Sequence, residues 1–428
     1  MKIQYKRPCA LVRGRSLDHA VRRALLSIFV AAAMPAAQAA DAPSYGALLQ
    51  QAQVNAPQLL EQAANVRAAA ADARQAGARL NPSLNAVSEN IGVSQAGVSQ
   101  RENTYSVTQV FELGDKRAAR IEAGQRRSLA AGALERQTRI GFANELAIAY
   151  ATAEAMQQRQ DVAKAELTRA GDDLRAADAL VKAGREADLR LAQARASVAA
   201  AEAAAQTATA ETTAALERLA AFVGATEAYT RIVHPFLGTV AARPASAGWT
   251  PADSPALATA SAERDALAAQ VRIEQKRWMP DVGVTLGMRK YGWTDDKAAT
   301  VGISASIPLF DRNKGGIDAT RERVTSAAMR VETARLDAVA AHRSAVAQVA
   351  ASERSLQAAE QGEAAAGDAY RLGRIGYDAG KTSLLELLAI RRQLSDATER
   401  TIEARLARVR ALAALSMAEG RTAFGEAP

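Results

Sequence analysis

The residues of this chain that could carry out chemistry are few and scattered. Two histidines follow the basic N-terminal stretch, His234 in a proline-containing segment and His342 in a helical one, and neither has partners at the spacing of metal ligands. The single cysteine is Cys9. No nucleophile elbow, phosphate-binding loop or metalloprotease signature occurs. The sequence therefore predicts a protein that is not an enzyme and has no cofactor or metal centre.

Two glycine-containing turns are the other candidate functional segments. Segments 183–189 and 379–385 share the order alanine, glycine, basic residue, with leucine at the seventh position. Glycine just past a helix end permits a left-handed cap. Asp188 in the first segment, and Thr382 or Ser383 in the second, are predicted to cap the helix that follows. Both segments are interpreted as tips of helical hairpins, where a partner could dock.

The N-terminal stretch is predicted to be a secretory signal peptide over 1–39, cleaved near Ala39. It combines seven basic residues and one acidic residue with a short apolar run at 24–33 and a small-x-small site. Cleavage lowers the formal net charge from +8 to +2, so basicity gives no support for a nucleic-acid partner. Because Cys9 lies inside the leader, a lipoprotein is not predicted.

The rest of the chain is a duplication. Segment 79–82 recurs at 277–280 and segment 110–117 at 307–314, and the hairpin tips recur as described. The landmarks keep their order at offsets of 196 to 198 residues, which indicates an internal repeat. The predicted organisation is a signal peptide at 1–39, a first repeat at 40–223, a connector or equatorial region at 224–254 and a second repeat at 255–428.

Each repeat is predicted to hold two strands, at about 84–93 and 103–111, and at about 281–291 and 300–309. The second pair alternates apolar residues with glycine, serine and threonine. In the first pair, Val87, Ile91 and Val93 are expected to share a face that Glu89 interrupts. One reading is a half-buried hairpin on a soluble domain. The other is a transmembrane barrel, whose strands need roughly 9–11 residues each.

The barrel reading requires several copies of the chain, because four strands cannot enclose a polar lumen. Three copies would supply twelve strands. From Gly114 to about Val181 no proline occurs, which predicts a helix of roughly 100 Å. A soluble coiled coil would also explain such helices, whereas helices attached to oligomeric strands would extend the lumen as a tube.

The duplicated strand-pair and long-helix plan resembles the TolC-like outer-membrane factors of tripartite efflux systems. Segments 109–117 (QVFELGDKR) and 307–316 (IPLFDRNKGG) are most similar to the heavy-metal, CzcC-like branch. The resemblance implies an α+β membrane protein with two β-β-α(long hairpin) repeats per chain. It also implies a homotrimer whose 12-stranded β-barrel continues as a periplasmic α-helical barrel, embedded in outer-membrane lipid.

In function, the resemblance implies a passive exit duct for divalent heavy-metal cations that docks a periplasmic adaptor and an inner-membrane RND pump. The adaptor-facing tips, carried over by position, are Gly184, Arg185, Leu189, Gly380, Lys381, Thr382 and Leu384. Asp188 and Glu386 occupy the zone of the family's periplasmic gate, where up to six carboxylates of a trimer would attract cations. They could equally be capping or solvated residues.

Two other functions stay open on the sequence. The channel could export drugs or organic solutes instead of metals. More distantly, the chain could be a periplasmic coiled-coil adaptor, although an adaptor should have one hairpin flanked by soluble β-domains, and the duplication argues against it.

Overall fold

A computed structural model gives the fold and describes residues 40–240, 245–294, 296–422 and 424. The predicted signal peptide lies outside the described residues. The helices are α1 Tyr45–Asn55, α2 Pro57–Ala76, α3 Lys116–Lys182, α4 Asp188–Phe222, α5 Pro255–Lys276, α6 Lys314–Asp378 and α7 Leu384–Ala418. The strands are β1 Ser83–Glu89, β2 Ser94–Gln95, β3 Val98–Ser99, β4 Glu102–Glu112, β5 Asp281–Tyr291 and β6 Lys297–Ala305. A short 3-10 helix, Pro251–Asp253, precedes α5.

The longest elements are α3 and α6, with 67 and 65 residues. Both are proline-free and rich in alanine, arginine and glutamate, which favour helix, and each is about 100 Å long. Each begins directly after a residue with left-handed backbone, Asp115 (φ 62°) or Asn313 (φ 54°). No helix in the described part of the chain is long and apolar enough to cross a bilayer. The chain therefore leaves the sheet and enters a long helix by the same bend in both halves.

The helices form two hairpins that lie side by side. Helix α4 packs along α3, and α7 packs along α6. The shorter helices α2 and α5 also pack on α3, and α5 packs on α6 as well. Because α7 contacts α3, the second hairpin rests against the first.

A glycine joint marks the same place in each half. Gly224 follows α4 with φ +73°, and a Cβ added there would lie 2.5 Å from the Asn55 carbonyl oxygen, just before α2. Gly420 follows α7 with φ +68°, and its Cβ would collide with the Asp253 carbonyl oxygen, just before α5. The end of each hairpin therefore abuts the start of the helix that leads to the sheet.

The hydrophobic core lies around the middle of α3. Its largest fully buried side chains there are Phe142, Leu146 and Tyr150. The connector packs into this core instead of remaining a loose loop: buried Glu154 accepts hydrogen bonds from the backbone N–H groups of Phe236 and Leu237, at 2.9 and 2.8 Å. Burial, reinforced by the nearby Glu154 carboxylate, raises the pKa of Tyr150 to about 12.

The four longer strands form one antiparallel sheet in the order β1-β4-β5-β6. Side chains in register across the sheet share a face. One face carries exposed apolar residues, with Leu84, Val107, Leu286 and Val301 in one row. The other face is small and polar, with Ser83, Thr108, Thr285 and Gly302 in one row. Within the described residues, β1 and β6 are the open edges of this sheet.

The predicted strand limits and faces need three corrections. Strand β1 ends at Glu89, short of residue 93, because Asn90 and Gly92 adopt positive φ and turn the chain into the β2–β3 hairpin. The shared face predicted for Val87, Ile91 and Val93 is wrong, because Ile91 and Val93 lie beyond β1 and Val87 stands in register with Thr104 and Arg289 on the polar face. Strand β6 spans 297–305 instead of about 300–309, and Pro308, which cannot donate to a ladder, lies beyond it.

Candidate functional site at the hairpin tips

The first tip is a glycine-terminated helix end. Gly184 has φ +70° and donates to the Val181 carbonyl at 2.9 Å. Arg185 donates to the Leu180 carbonyl at 2.9 Å. This pair of bonds is the Schellman motif, which satisfies the last carbonyls of α3 and reverses the chain toward α4.

The second tip repeats this geometry. Gly380 has φ +67° and donates to the Tyr377 carbonyl at 2.9 Å, and Lys381 donates to the Gly376 carbonyl at 2.8 Å. The following helix, α7, has a side-chain cap: Ser383 Oγ accepts from the Glu386 backbone N–H at 3.2 Å. Leu384 is the first residue of α7, and its side chain lies outside the described part of the structure.

The predicted capping roles are only partly correct. Ser383 is the N-cap of α7, whereas the backbone N–H of Thr382 donates to the Gly376 carbonyl at 3.2 Å. Asp188 does not cap α4, because Ala187 occupies the N-cap position and Asp188 is the first helical residue. A carboxylate in the first turn still interacts favourably with the helix dipole.

The two acidic residues therefore stand at different places on their helices. Asp188 follows the N-cap of α4 by one residue, while Glu386 follows the N-cap of α7 by three. Both side chains are exposed. When the two halves of the sequence are aligned, Asp188 is equivalent to Leu384 and Glu386 is equivalent to Arg190, so the two acidic residues do not occupy equivalent positions.

Both tips present apolar side chains to solvent. Leu189 is 68% exposed and Leu385 is 72% exposed. On α6, just before the second tip, Leu372 and Ile375 are each 58% exposed. Exposed leucines therefore stand beside the exposed basic residues Arg185 and Lys381 at the two tips.

A groove runs between the two hairpins behind the tips. Its volume is about 510 Å³, and its lining includes Arg190 of α4 and Leu385 of α7. The structure thus brings the residues just past each tip onto one groove.

An ion cluster that the sequence did not predict crosses this groove. Arg391 of α7 is only 12% exposed, and its guanidinium contacts Asp173 at 2.7 Å and Glu166 at 3.0 Å, both on α3. Glu166 and Asp173 are seven residues apart, so they lie on one side of α3. The seven-residue spacing was the only sign of this cluster in the sequence. The arginine could not be identified from it, because Arg391 is 218 residues from Asp173.

A second ion cluster lies on the polar face of the sheet, at the end opposite the helices. Arg289 Nη1 contacts Glu102 at 2.9 Å, Nη2 contacts Glu89 at 3.6 Å, and Nε donates to Thr104 Oγ1 at 3.1 Å. The arginine thereby links three strands. Glu89, which in sequence interrupted an apolar pattern, belongs to this polar face.

The histidines lie away from both tips. The His342 ring stacks on Trp249 with centroids 3.9 Å apart, and its Nε2 lies 3.4 Å from Oε1 of buried Glu419. His234 lies in the connector, where its carbonyl accepts from the Tyr150 hydroxyl at 3.0 Å. Over the described residues, no three histidine, cysteine or acidic side chains are grouped so as to hold a metal ion.

Comparison with known proteins gives a consistent result. The family described as "Outer membrane efflux protein" matches residues 48–225 and 251–421. The chain is 56% identical over 392 residues to the "Nickel-cobalt-cadmium resistance protein NccC" of Alcaligenes xylosoxydans xylosoxydans, covering 91% of this chain and 89% of NccC. It is 55% identical over 389 residues to the "Nickel and cobalt resistance protein CnrC" of Cupriavidus metallidurans, covering 91% and 93%.

More distant proteins also match the chain, in sequence or in fold. The "Cobalt-zinc-cadmium resistance protein CzcC" of Cupriavidus metallidurans is 26% identical over 309 residues, covering 70% of this chain and 72% of CzcC. Among solved structures, CusC superposes with a TM-score of 0.75 at 18% identity, covering 88% of this chain and 91% of CusC. The CmeC outer membrane channel of Campylobacter jejuni superposes with a TM-score of 0.77 at 14% identity, covering 88% and 85%.

Proposed function

Because this chain belongs to the outer membrane efflux protein family, we propose that it is the outer-membrane channel subunit of a tripartite RND efflux system for divalent heavy-metal cations. The observation that carries the proposal is the sheet. Its apolar face is exposed, and the outer edges of its two edge strands, β1 and β6, are unpaired within the described residues. At one end of the strands, the chain continues into helices of about 100 Å. Unpaired strand edges such as these are able to pair with the edges of other copies of the chain.

Three copies joined edge to edge would give a twelve-stranded barrel. The polar face, with its Thr108–Thr285 contact at 2.8 Å and its Arg289 cluster, would then face the lumen, and the apolar face would meet lipid. The hairpins would extend this lumen into the periplasm as a passive duct.

The proposed cargo is nickel, cobalt and cadmium ions. The names of NccC and CnrC support this choice, because both proteins match about nine-tenths of the chain at more than half identity. No metal-binding group of three side chains occurs in the described residues, so cations would pass hydrated, and selection among metals would belong to the pump and the adaptor.

The tips are the proposed docking surface for the periplasmic adaptor. The two turns have matching shape, which depends on Gly184 and Gly380, and α7 is also capped by Ser383. Two basic and two apolar side chains are exposed on them: Arg185, Lys381, Leu189 and Leu385. A photo-crosslinking residue at 189 or 385 should give an adduct with the co-expressed adaptor. The same residue at Leu129, which is 62% exposed on α3 far from the tips, should give none.

The gate role of Asp188 and Glu386 is part of the same proposal. Both carboxylates are exposed in the first turn of a helix that leads away from a tip. In a trimer they would surround a narrow entrance and raise the local concentration of cations.

A deletion strain tests the proposed cargo. The strain should become sensitive to nickel, cobalt and cadmium while its tolerance of drugs and organic solutes is unchanged, and a plasmid copy of the gene should restore resistance. Loss of drug tolerance alone would favour the organic-solute channel instead. Recovery of the protein as a soluble periplasmic monomer would overturn the channel altogether.

A further inference from the structure

A row of polar and basic side chains crosses the sheet on its apolar face, at the end away from the helices. Ser88 pairs with Asn103, Asn103 with Lys290, and Lys290 with Lys297, each directly opposite the next in the strand register. Arg101 joins the row, because its Nε donates to Ser88 Oγ at 2.9 Å and lies 3.2 Å from Asn103 Oδ1. We call Arg101, Lys290 and Lys297 the basic row.

The basic row places like charges next to one another. Like charges directly opposite each other on neighbouring strands destabilise a sheet. Within the described residues, no carboxylate lies at salt-bridge distance from the three cations, whereas on the other face of the same strands Arg289 has both Glu89 and Glu102. Three cations on one exposed surface therefore fit an anion supplied from outside the chain.

Beside the row lies an exposed apolar surface. Tyr105 and Met288 occupy the next register position on this face and are 59% and 50% exposed. Leu286 and Val301 follow at 60% and 75%. Cationic heads next to an exposed apolar surface match a lipid, whose phosphate takes the cations and whose chains cover the apolar side chains.

The position of the row agrees with a membrane surface. Val282 is the last apolar residue of this face toward the helices, and Lys290 is eight residues away on the same strand. At about 3.3 Å per residue the separation is roughly 26 Å, comparable with a hydrocarbon core of about 30 Å. Tyr105, in the row next to Lys290 on this face, adds an aromatic ring near the same depth, and aromatic residues concentrate at membrane interfaces.

We propose that the basic row binds the phosphate of a phosphorylated lipid headgroup in the outer leaflet of the outer membrane. This proposal rests on the proposed function, which puts the apolar face in lipid and the helices in the periplasm. The lysine pair would be stabilised only when the phosphate lies between its two ammonium groups, so the lipid would strengthen the β5–β6 pairing at the rim of the sheet.

The test compares binding of two probes, bisphosphorylated lipid A and its dephosphorylated form, to the purified full-length protein by native mass spectrometry. The wild type should retain the phosphorylated probe preferentially. Lys290→Gln combined with Lys297→Gln should weaken this binding by roughly thirtyfold. Two control variants should bind as the wild type does: the double variant Lys290→Arg, Lys297→Arg, which keeps the charge, and Arg321→Gln, which removes a cation from α6.

A charge reversal separates binding from folding. Lys297→Glu places opposite charges across the strands, so it should keep or raise the thermal stability of the protein while abolishing the preference for phosphate. Unchanged binding by this variant, or a wild type that retains both probes equally, overturns the lipid site alone if the protein is recovered from membranes as a trimer. A wild type recovered as a soluble monomer overturns the proposed function together with the site.

Discussion

Arg391 of α7 donates through Nη1 to Oδ2 of Asp173 on α3, at 2.7 Å, and so joins the second hairpin to the first. The guanidinium also reaches Glu166 on the same helix at 3.0 Å, and only 12% of the arginine side chain is exposed. The contact stands behind the tips, on the groove that both hairpins line. It therefore resists separation of the two hairpins behind the tips.

Arg391→Gln should loosen the second hairpin, because it leaves two carboxylates of α3 without their shared cation. The expected result is a several-fold rise in ionic conductance of the protein in planar bilayers, with no loss of assembly. Arg371→Gln is the matched control, since it removes an exposed arginine that pairs with Asp368 within α6. Equal conductance of the wild type and Arg391→Gln would show that the cluster does not restrain the entrance.

Gly224→Ala should destabilise the fold by about 1–3 kcal/mol, because alanine meets both a left-handed backbone and the Asn55 carbonyl oxygen. Gly420→Ala should cost a similar amount at the equivalent joint. Gly184→Ala should cost about 1 kcal/mol, since its φ is also positive but no atom lies within 4 Å of the added Cβ. Thermal unfolding followed by circular dichroism measures all three, with Gly132→Ala, an open helical position, as the control.

Glu274 should make stability depend on pH at the start of α6. Its carboxylate accepts from Asn313 Nδ2 at 2.7 Å, and this hydrogen bond holds the pKa of Glu274 below its ordinary value. A lowered pKa stabilises the folded state above the unfolded pKa of about 4.3, and the contribution is lost as the pH falls through the folded value. Glu274→Gln should therefore melt below the wild type at pH 7, and the difference should shrink as the pH falls below about 4.

The comparison for this pH effect is Glu332→Gln, which removes an exposed carboxylate that pairs with Arg335 on the surface of α6. Its melting temperature should differ little from that of the wild type at any pH, because solvent screens the pair. A constant gap between Glu274→Gln and the wild type from pH 7 to pH 3 would contradict the assignment.

Asp188→Asn and Glu386→Gln should each reduce cation selectivity. Their carboxylates are exposed beside the tips, so neutralising either one lowers the negative potential at the proposed entrance. In a planar bilayer under a salt gradient, the reversal potential should move toward zero for each variant and further for the pair. Glu217→Gln, far along α4, should leave it unchanged.

The sequence was most informative where local chemistry decides the structure. Glycines at 184 and 380 predicted both tips, because a left-handed residue ends a helix in the same way wherever it occurs. The alternation of valine and leucine with glycine and threonine predicted the two faces of β5. These features depend on a few neighbouring residues, and the duplication repeated most of them.

Long-range relationships could not be predicted. The Arg391 cluster depends on how α7 rotates against α3, which neither helix determines alone. The assignment of Asp188 as a cap was wrong because Ala187 takes the N-cap position by its extended backbone, without a side-chain acceptor. The predicted end of strand β1 was too late, because Ile91 and Val93 have high strand propensity. Asn90 and Gly92 instead adopt positive φ and turn the backbone out of the strand.

The twin glycine joints limit how the two halves of the chain can vary. Substitution at Gly224 or Gly420 alters the angle at which a hairpin leaves the core, because no room exists there for a methyl group. Substitution at the exposed tips leaves that angle intact. The two tips of one chain are therefore free to acquire different sequences while their hairpins keep a common direction.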